Sequence, residues 1–197
     1  MTTESLPPER IARLWTTLLV PRPIALVTTL GESGLVNIAP FSSFACLSIV
    51  PAYVGISFGA REPAPKNTFA NIVRTGEFAV NLVPRSLATT MNEAARVVDT
   101  TDDYARLRLT QAEFDRSSST RIAECPASYA CRLVRTIDLS PAKVTLVIGE
   151  VIEFAARDEF CVDGAFDPLA AGLISSIGVE DFLALSGEAF AMPRTYE

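Results

Sequence analysis

PIALVTTLGESGLVNIA, residues 23–39, reads as two strands and a turn. Ile24 to Leu30 is rich in β-branched and apolar side chains, which suit a pleated, half-buried surface. The run stops at Gly31-Glu32-Ser33-Gly34, where glycine supplies the backbone freedom that a reversal needs. Strand character resumes at Leu35, so residues 24–38 are predicted to form a β-hairpin. A hairpin commits its neighbours to antiparallel pairing, and the rest of the chain can be read outward from it.

Downstream, AYVGISF (52–58) and EFAVNLV (77–83) are predicted strands, the second stopped by Pro84. Between them NTFANIVRTG reads as a short helix: Phe69, Ile72 and Val73 share a face and Gly76 suits the stop. Residues 86–116 read as helical and irregular. SYACRLVRTIDL (128–139) and KVTLVIGEVIEFAA (143–156) are predicted long strands, and Asp163-Gly164 a turn. Upstream, Ile11, Leu14, Trp15 and Leu18 stand at helical spacing behind two prolines. Strands dominate, and small all-β chains remove exposed edges by closing. The expectation is a mainly β fold: an antiparallel barrel with peripheral helices, one domain over 1–197 with a short N-terminal helix.

The 197 residues are 49% hydrophobic and 20% charged, a composition that builds a core. The net charge of -6 lacks the basic stripe that nucleic acid requires, so no nucleic-acid partner is expected. There is no histidine, which excludes Ser-His-Asp and Cys-His catalysis and disfavours zinc; no metal is expected. Cys46, Cys125, Cys131 and Cys161 form no CxxC pair and are expected to be mostly buried thiols in a reducing cytoplasm. The N-terminus has no signal-peptide pattern and no run of about 18 apolar residues spans a membrane, so no membrane partner is expected.

Two stretches could carry chemistry. In REPAPKNTFANI (61–72), Arg61, Lys66 and Thr68 precede or open a helix whose free N–H groups favour an anion. Lysine brings a point charge, arginine a bidentate fork and threonine a hydroxyl, a set suited to phosphate. A solvated loop with Asn67 or Thr68 as a plain N-cap fits as well. In VNIAPFSSFACLS, Asn37, Ser42, Ser43 and Ser48 interrupt an apolar strand around Pro40. Proline breaks ladder pairing, which leaves either backbone groups free for a planar polar ligand or simply an edge strand. Trp15 is expected to be core, as are Phe41 and Phe44.

PRPIALVTTLGESGLVNIAPFSSF, AREPAPKNTFANIVRTGEFAVNLV, RIAECPASYACRL, VIGEV and FAMPR follow one another in this order. Together, over roughly residues 20 to 195, they resemble the flavin reductase-like family, the FMN-binding split barrels close to flavoredoxin. The resemblance implies a homodimeric, antiparallel, Greek-key-like split β-barrel that holds FMN non-covalently near the subunit interface. It implies an FMN-dependent oxidoreductase that reduces flavin or a small acceptor, with NAD(P)H as possible co-substrate. The alternative it carries is a flavoredoxin-like electron carrier with little NAD(P)H reductase activity. Arg61, Lys66 and Thr68 match the phosphate-binding loop, with Asn67 where Asp is usual. Thr28 and Thr29 match the segment along the flavin, and Asn37, Ala39, Pro40, Phe41 and Ser42 the segment at the isoalloxazine edge. Two positions depart: Thr145 stands where a histidine is common, and Phe182 where tyrosine is. No residue is assigned a catalytic role.

Overall fold

Seven antiparallel strands form the main sheet of the computed structural model, which describes residues 2–59, 67–96, 98, 101–187, 189, 190 and 192. They are β1 (Ala25–Leu30), β2 (Val36–Phe41), β3 (Phe44–Ser48), β4 (Tyr53–Gly59), β5 (Glu77–Leu82), β6 (Ala127–Asp138) and β7 (Val144–Ala156). Their order across the sheet is β2-β1-β5-β6-β7-β4-β3. The hairpin expected at residues 24–38 is β1 and β2, with Thr29 opposite Asn37 and Leu26 opposite Pro40. The Gly31 N–H donates to the Leu35 carbonyl at 2.8 Å, and Gly34 sits at φ +81, the left-handed region that glycine enters without cost.

The two edge strands, β2 and β3, are separated along the chain by Ser42 and Ser43 alone. Two residues cannot cross a flat seven-stranded sheet, so the sheet must roll until its edges meet. The packing agrees. Phe41 on β2 and Phe58 on β4 are five strand spacings apart in the sheet order, roughly 24 Å if flat. Their ring centroids are 4.9 Å apart. The rolled interior holds Val27, Phe41, Ile56, Phe58, Phe78, Val80, Cys131 and Val147 in one cluster. This is a split β-barrel, whose two edge strands follow one another in the chain without pairing.

Gly149 shows how tightly that interior is packed. A Cβ there would lie 2.5 Å from Phe78 Cζ, and the β6–β7 register slips at Ile148/Gly149. Only glycine lets the strand pass so close to a buried ring.

Helix α2 (Asn67–Thr75) plugs the barrel with Ile72 and with Phe69, whose ring is 5.7 Å from Phe58. Its stop is the expected one: Gly76 at φ +74 donates to the Ile72 carbonyl at 2.8 Å. A second core lies outside β1 and β2. There Ile24, Leu26, Val36 and Ile38 pack against helices α3 (Ala88–Ala94) and α4 (Asp103–Leu107). The 86–116 region thus holds two helices and the short strand Gln111–Glu113, which pairs with Thr120–Ile122.

Helix α1 (Pro8–Leu18) forms where its spacing predicts, but it buries no residue; Trp15 is 62% exposed rather than core. Two cysteines also depart from expectation. Cys125 and Cys131 are buried, whereas Cys46 and Cys161 are exposed. No helix among the described residues is long and apolar enough to cross a membrane.

Candidate functional site

The site is built where α2 meets the β1–β2 hairpin. Thr29 and Asn37 are direct cross-strand partners. Asn37 Nδ2 donates to Thr68 Oγ1 at 2.9 Å, and Asn71 Nδ2 donates to Thr29 Oγ1 at 3.1 Å. Thr68 and Asn71 are three apart and therefore share one helix face. The first turn of α2 is thus tied to the hairpin by two side-chain hydrogen bonds that the barrel wall protects. At the far end, the Arg74 guanidinium donates to the Leu30 carbonyl at 2.5 Å. These contacts fix the helix N-terminus at the rim of a cleft of about 550 Å³, lined by Gly31, Glu32, Asn37, Asn67, Asn71 and Thr101 among others. Helix α2 carries no acid in its first turn, so nothing internal neutralises its positive end. Arg61 and Lys66, expected on the approach to this turn, lie outside the described residues.

A second cleft, of about 510 Å³, opens where β2 turns into β3. Its walls include Trp15, Arg22, Ser42, Ser43, Phe44 and Ser57. Ser43 closes the corner: its hydroxyl donates to the Ser57 carbonyl at 2.9 Å, and its own carbonyl accepts from the Ser57 N–H at 3.1 Å. Strand β2 connects the two clefts, with Asn37 at one end and Ser42 beyond the other, a run of roughly 17 Å at strand rise. Between them Ala39 packs on the interior core and Phe41 is buried against Phe58.

Pro40 falls on the outward side of this edge strand, in series with Val36 and Ile38. The N–H groups of Val36 and Ile38 donate outward to Asp102 Oδ2 and Asp103 Oδ2, each at 2.8 Å. The missing proline donor therefore costs no ladder bond, and the two carboxylates at the start of α4 cap the strand edge.

Of the residues singled out in the sequence, the structure brings Asn37 and Asn67 to the first cleft and Ser42 to the second, while Thr29 and Thr68 are buried behind the first and bonded to its lining residues Asn71 and Asn37. It does not bring Thr28 to either. Thr28 points to the outer side of the sheet, fully buried, and its hydroxyl donates to the Thr120 carbonyl at 2.5 Å. Thr145 lies opposite Phe58 in the ladder and so shares the barrel's inner face with it. Asn71, Ser57 and Trp15 were not singled out as site residues. Asn71 had a signal, a polar side chain three residues after Thr68 in an apolar helix. Ser57 and Trp15 had none: Ser57 comes to the corner through the register of β3 on β4, and Trp15 through the helix that Arg22 tethers. Burial pushes the Cys125 and Cys131 thiols far above their ordinary range, so both stay neutral.

The donor set suits an elongated ligand. Amides, a threonine hydroxyl and a helix N-terminus gather at one end, and hydroxyls with aromatic rings at the other.

Comparison with known proteins bears on the family and the fold. The model of a family described as flavin reductase like domain matches residues 17–169. An uncharacterised protein of Deinococcus radiodurans is 31% identical over 199 aligned residues, covering 96% of this chain and 87% of that protein. Among solved structures, nitrilotriacetate monooxygenase component B from Bacillus cereus superposes with a TM-score of 0.89. It is 24% identical, with 98% of this chain and 97% of that one covered. The 2-nitrobenzoate 2-nitroreductase of Pseudomonas fluorescens gives a TM-score of 0.87 at 24% identity, covering 100% and 96%. At these identities the two structures speak for the fold.

Proposed function

This chain belongs to the flavin reductase-like domain family, and we propose on that premise that it binds FMN non-covalently as an oxidoreductase. In this reading it takes reducing equivalents from NAD(P)H and passes them to flavin or a small acceptor, as a cytoplasmic homodimer. The observation that carries the reading is β2 itself, which joins a helix N-terminus locked by Asn37 and Thr29 to a serine corner at Ser42. A phosphate at the first end would meet the α2 amides and Thr68, with Arg61 and Lys66 supplying the positive charge that the described cleft residues lack. A planar ring at the second end would lie along Ala39 to Ser42.

FMN, when bound, supplies the redox chemistry, and the protein's part is to hold, orient and shield it. The Thr29–Asn71 and Asn37–Thr68 pairs hold the phosphate-facing turn in place without a charged residue among them. Ser42 offers a hydroxyl at the ring end, and the Phe41–Phe58–Phe69 stack keeps water out of the barrel beneath.

The homodimer is supported by unburied apolar side chains: Leu18 on α1, Leu47, Ile49 and Val50 on and after β3, and Phe154 on β7. So much exposed apolar surface marks an interaction face, and a two-fold interface is the commonest oligomeric solution. Sedimentation as a stable monomer at micromolar concentration would remove it.

The absorbance spectrum of purified protein after addition of FMN tests the cofactor directly. Lys66→Ala is expected to weaken FMN binding by roughly tenfold or more, the loss of about 1.5–3 kcal/mol for one charge-assisted contact. Unchanged affinity in a fluorescence titration would reduce the 61–68 segment to a plain helix start.

One observation favours a second reading, an electron carrier with little NAD(P)H oxidation of its own. The chain has no histidine, and Thr145 stands where one is common in the family it resembles. Steady-state NADH and NADPH oxidation with added FMN separates the two.

A further inference from the structure

Helix α1 poses a question that the flavin reading leaves open: it buries no residue, yet it is firmly attached. Arg22 holds it. Its Nη1 donates to the carbonyls of Thr16 and, at 3.0 Å, Leu19 in the last turn of the helix and just past it. Its Nη2 donates to Ser176 Oγ at 2.7 Å and to the Gly178 carbonyl at 2.8 Å. A guanidinium that bridges a helix end to a distant loop fixes the helix in place without any core contact. The largest side chain so positioned is Trp15, 62% exposed at the edge of the 510 Å³ cleft.

The same lining also carries hydroxyls. Ser43 spends its hydroxyl on the Ser57 carbonyl, but the hydroxyls of Ser42 and Ser57 have no hydrogen-bond partner among the described residues. Phe44 completes the lining with a second ring. Aromatic rings and free hydroxyls lining one cleft of ligand size form a set that suits flat, polar-edged rings.

We propose that Trp15 is the stacking wall of this cleft, which takes a planar heteroaromatic ring between the indole and the Ser42–Phe44 corner. The inference rests on the flavin reading and names the surface at the ring end of that site. Two rings share the required chemistry, the isoalloxazine of FMN and the nicotinamide of the reductant, and they can be told apart.

The chain has a single tryptophan, so its emission reports on one position. FMN is titrated first, followed by oxidised NAD on FMN-loaded protein, with indole emission and flavin absorbance recorded together. Stacking of the flavin is expected to perturb the flavin absorbance band on the first addition in the wild-type chain but not in Trp15→Ala. Stacking of the nicotinamide is expected to quench further, on the second, the indole emission that remains in FMN-loaded protein. Trp15→Ala is expected to bind the responsible ring roughly tenfold more weakly, and Trp15→Phe to keep most of the affinity. Because Trp15 makes no core contact, Trp15→Ala should keep the wild-type thermal midpoint. If the wild-type chain binds no FMN by absorbance, the flavin reading falls and this one with it. FMN bound normally, with its absorbance band unchanged by Trp15→Ala, no further indole quenching by oxidised NAD and equal affinities in Trp15→Ala, overturns the Trp15 assignment alone.

Discussion

Thr28 and Thr29 are adjacent on β1, both buried to within about one per cent, and they belong to different parts of the molecule. Thr28 faces outward into a closed polar knot. Its hydroxyl donates to Thr120, and beside it Asn81 Nδ2 donates to the Leu26 carbonyl at 2.9 Å. Asn81 Oδ1 accepts from the Ile122 N–H at 2.9 Å and from Ser128 Oγ at 2.8 Å. Thr29 faces α2, where its network ends at the wall of the first cleft through Asn71. Both networks satisfy their buried groups, as burial demands. They differ in what surrounds them. The Thr28 knot joins strands to one another, away from both clefts described above. The Thr29 network joins a strand to a helix at the wall of the first cleft. Strand alternation separates the two, since neighbours on a strand face opposite ways.

The largest expected effect breaks the closed side. Asn81→Ala removes one side chain and leaves the Ile122 N–H and the Ser128 hydroxyl without their partner, while the Leu26 carbonyl keeps its place in the ladder with Asn81. Each orphaned buried group costs about 1–3 kcal/mol, so a loss of at least about 2 kcal/mol is expected from urea unfolding. FMN affinity, measured on the folded fraction, should stay at the wild-type value. A large affinity loss with intact stability would invert the division between the two networks.

A smaller effect, and of the other kind, is expected on the open side. Asn37→Ala frees the Thr68 hydroxyl next to the cleft, where water can satisfy it. Stability should fall by about 1 kcal/mol, the net value of one hydrogen bond, while FMN affinity falls roughly tenfold. The companion test is Thr28→Val beside Thr29→Val. The first should lower stability by about 1–2 kcal/mol and leave FMN titration unchanged, and the second should weaken FMN binding. Equal ligand effects from both substitutions would show that facing does not divide the strand.

How much of this was readable in the sequence follows the same division between local and distant. The hairpin, α2 and its Gly76 stop were legible because their signals lie within a few residues. The pause at Pro40-Phe41-Ser42-Ser43 was legible as an interruption, but its meaning, the closure of a barrel between edge strands, depends on a sheet order that no short stretch encodes. Thr28 and Thr29 look alike in the sequence, and only knowledge of which face α2 covers tells them apart. Asp102 and Asp103 read as acids in an irregular region, yet they cap Val36 and Ile38 from more than sixty residues away. Trp15 read as core because helical spacing reports an apolar face and not what that face meets.

The smallest expected effect lies at the foot of the closed side and depends on pH. Glu77 opens β5, and its Oε2 accepts from Ser117 Oγ at 3.0 Å and from the N–H and hydroxyl of Ser118, both at 2.8 Å. The same loop leads into Thr120, the acceptor of Thr28. Partial burial alone would raise the Glu77 carboxyl, but the hydrogen bonds from Ser118 and Ser117, with Arg132 nearby, outweigh it and hold the group below its ordinary value. A carboxylate depressed in the folded state contributes stability above its unfolded pKa of about 4.3 and loses it as pH falls through the folded one. Glu77→Gln should therefore be less stable than wild type at pH 7, and the gap should narrow as pH falls below about 4. Urea midpoints for both proteins at pH 7 and pH 3.5 measure it. The group is partly exposed, so the gap should be small beside that of Asn81→Ala. A gap of equal size at both pH values would mean that the serine loop is held by shape rather than by charge.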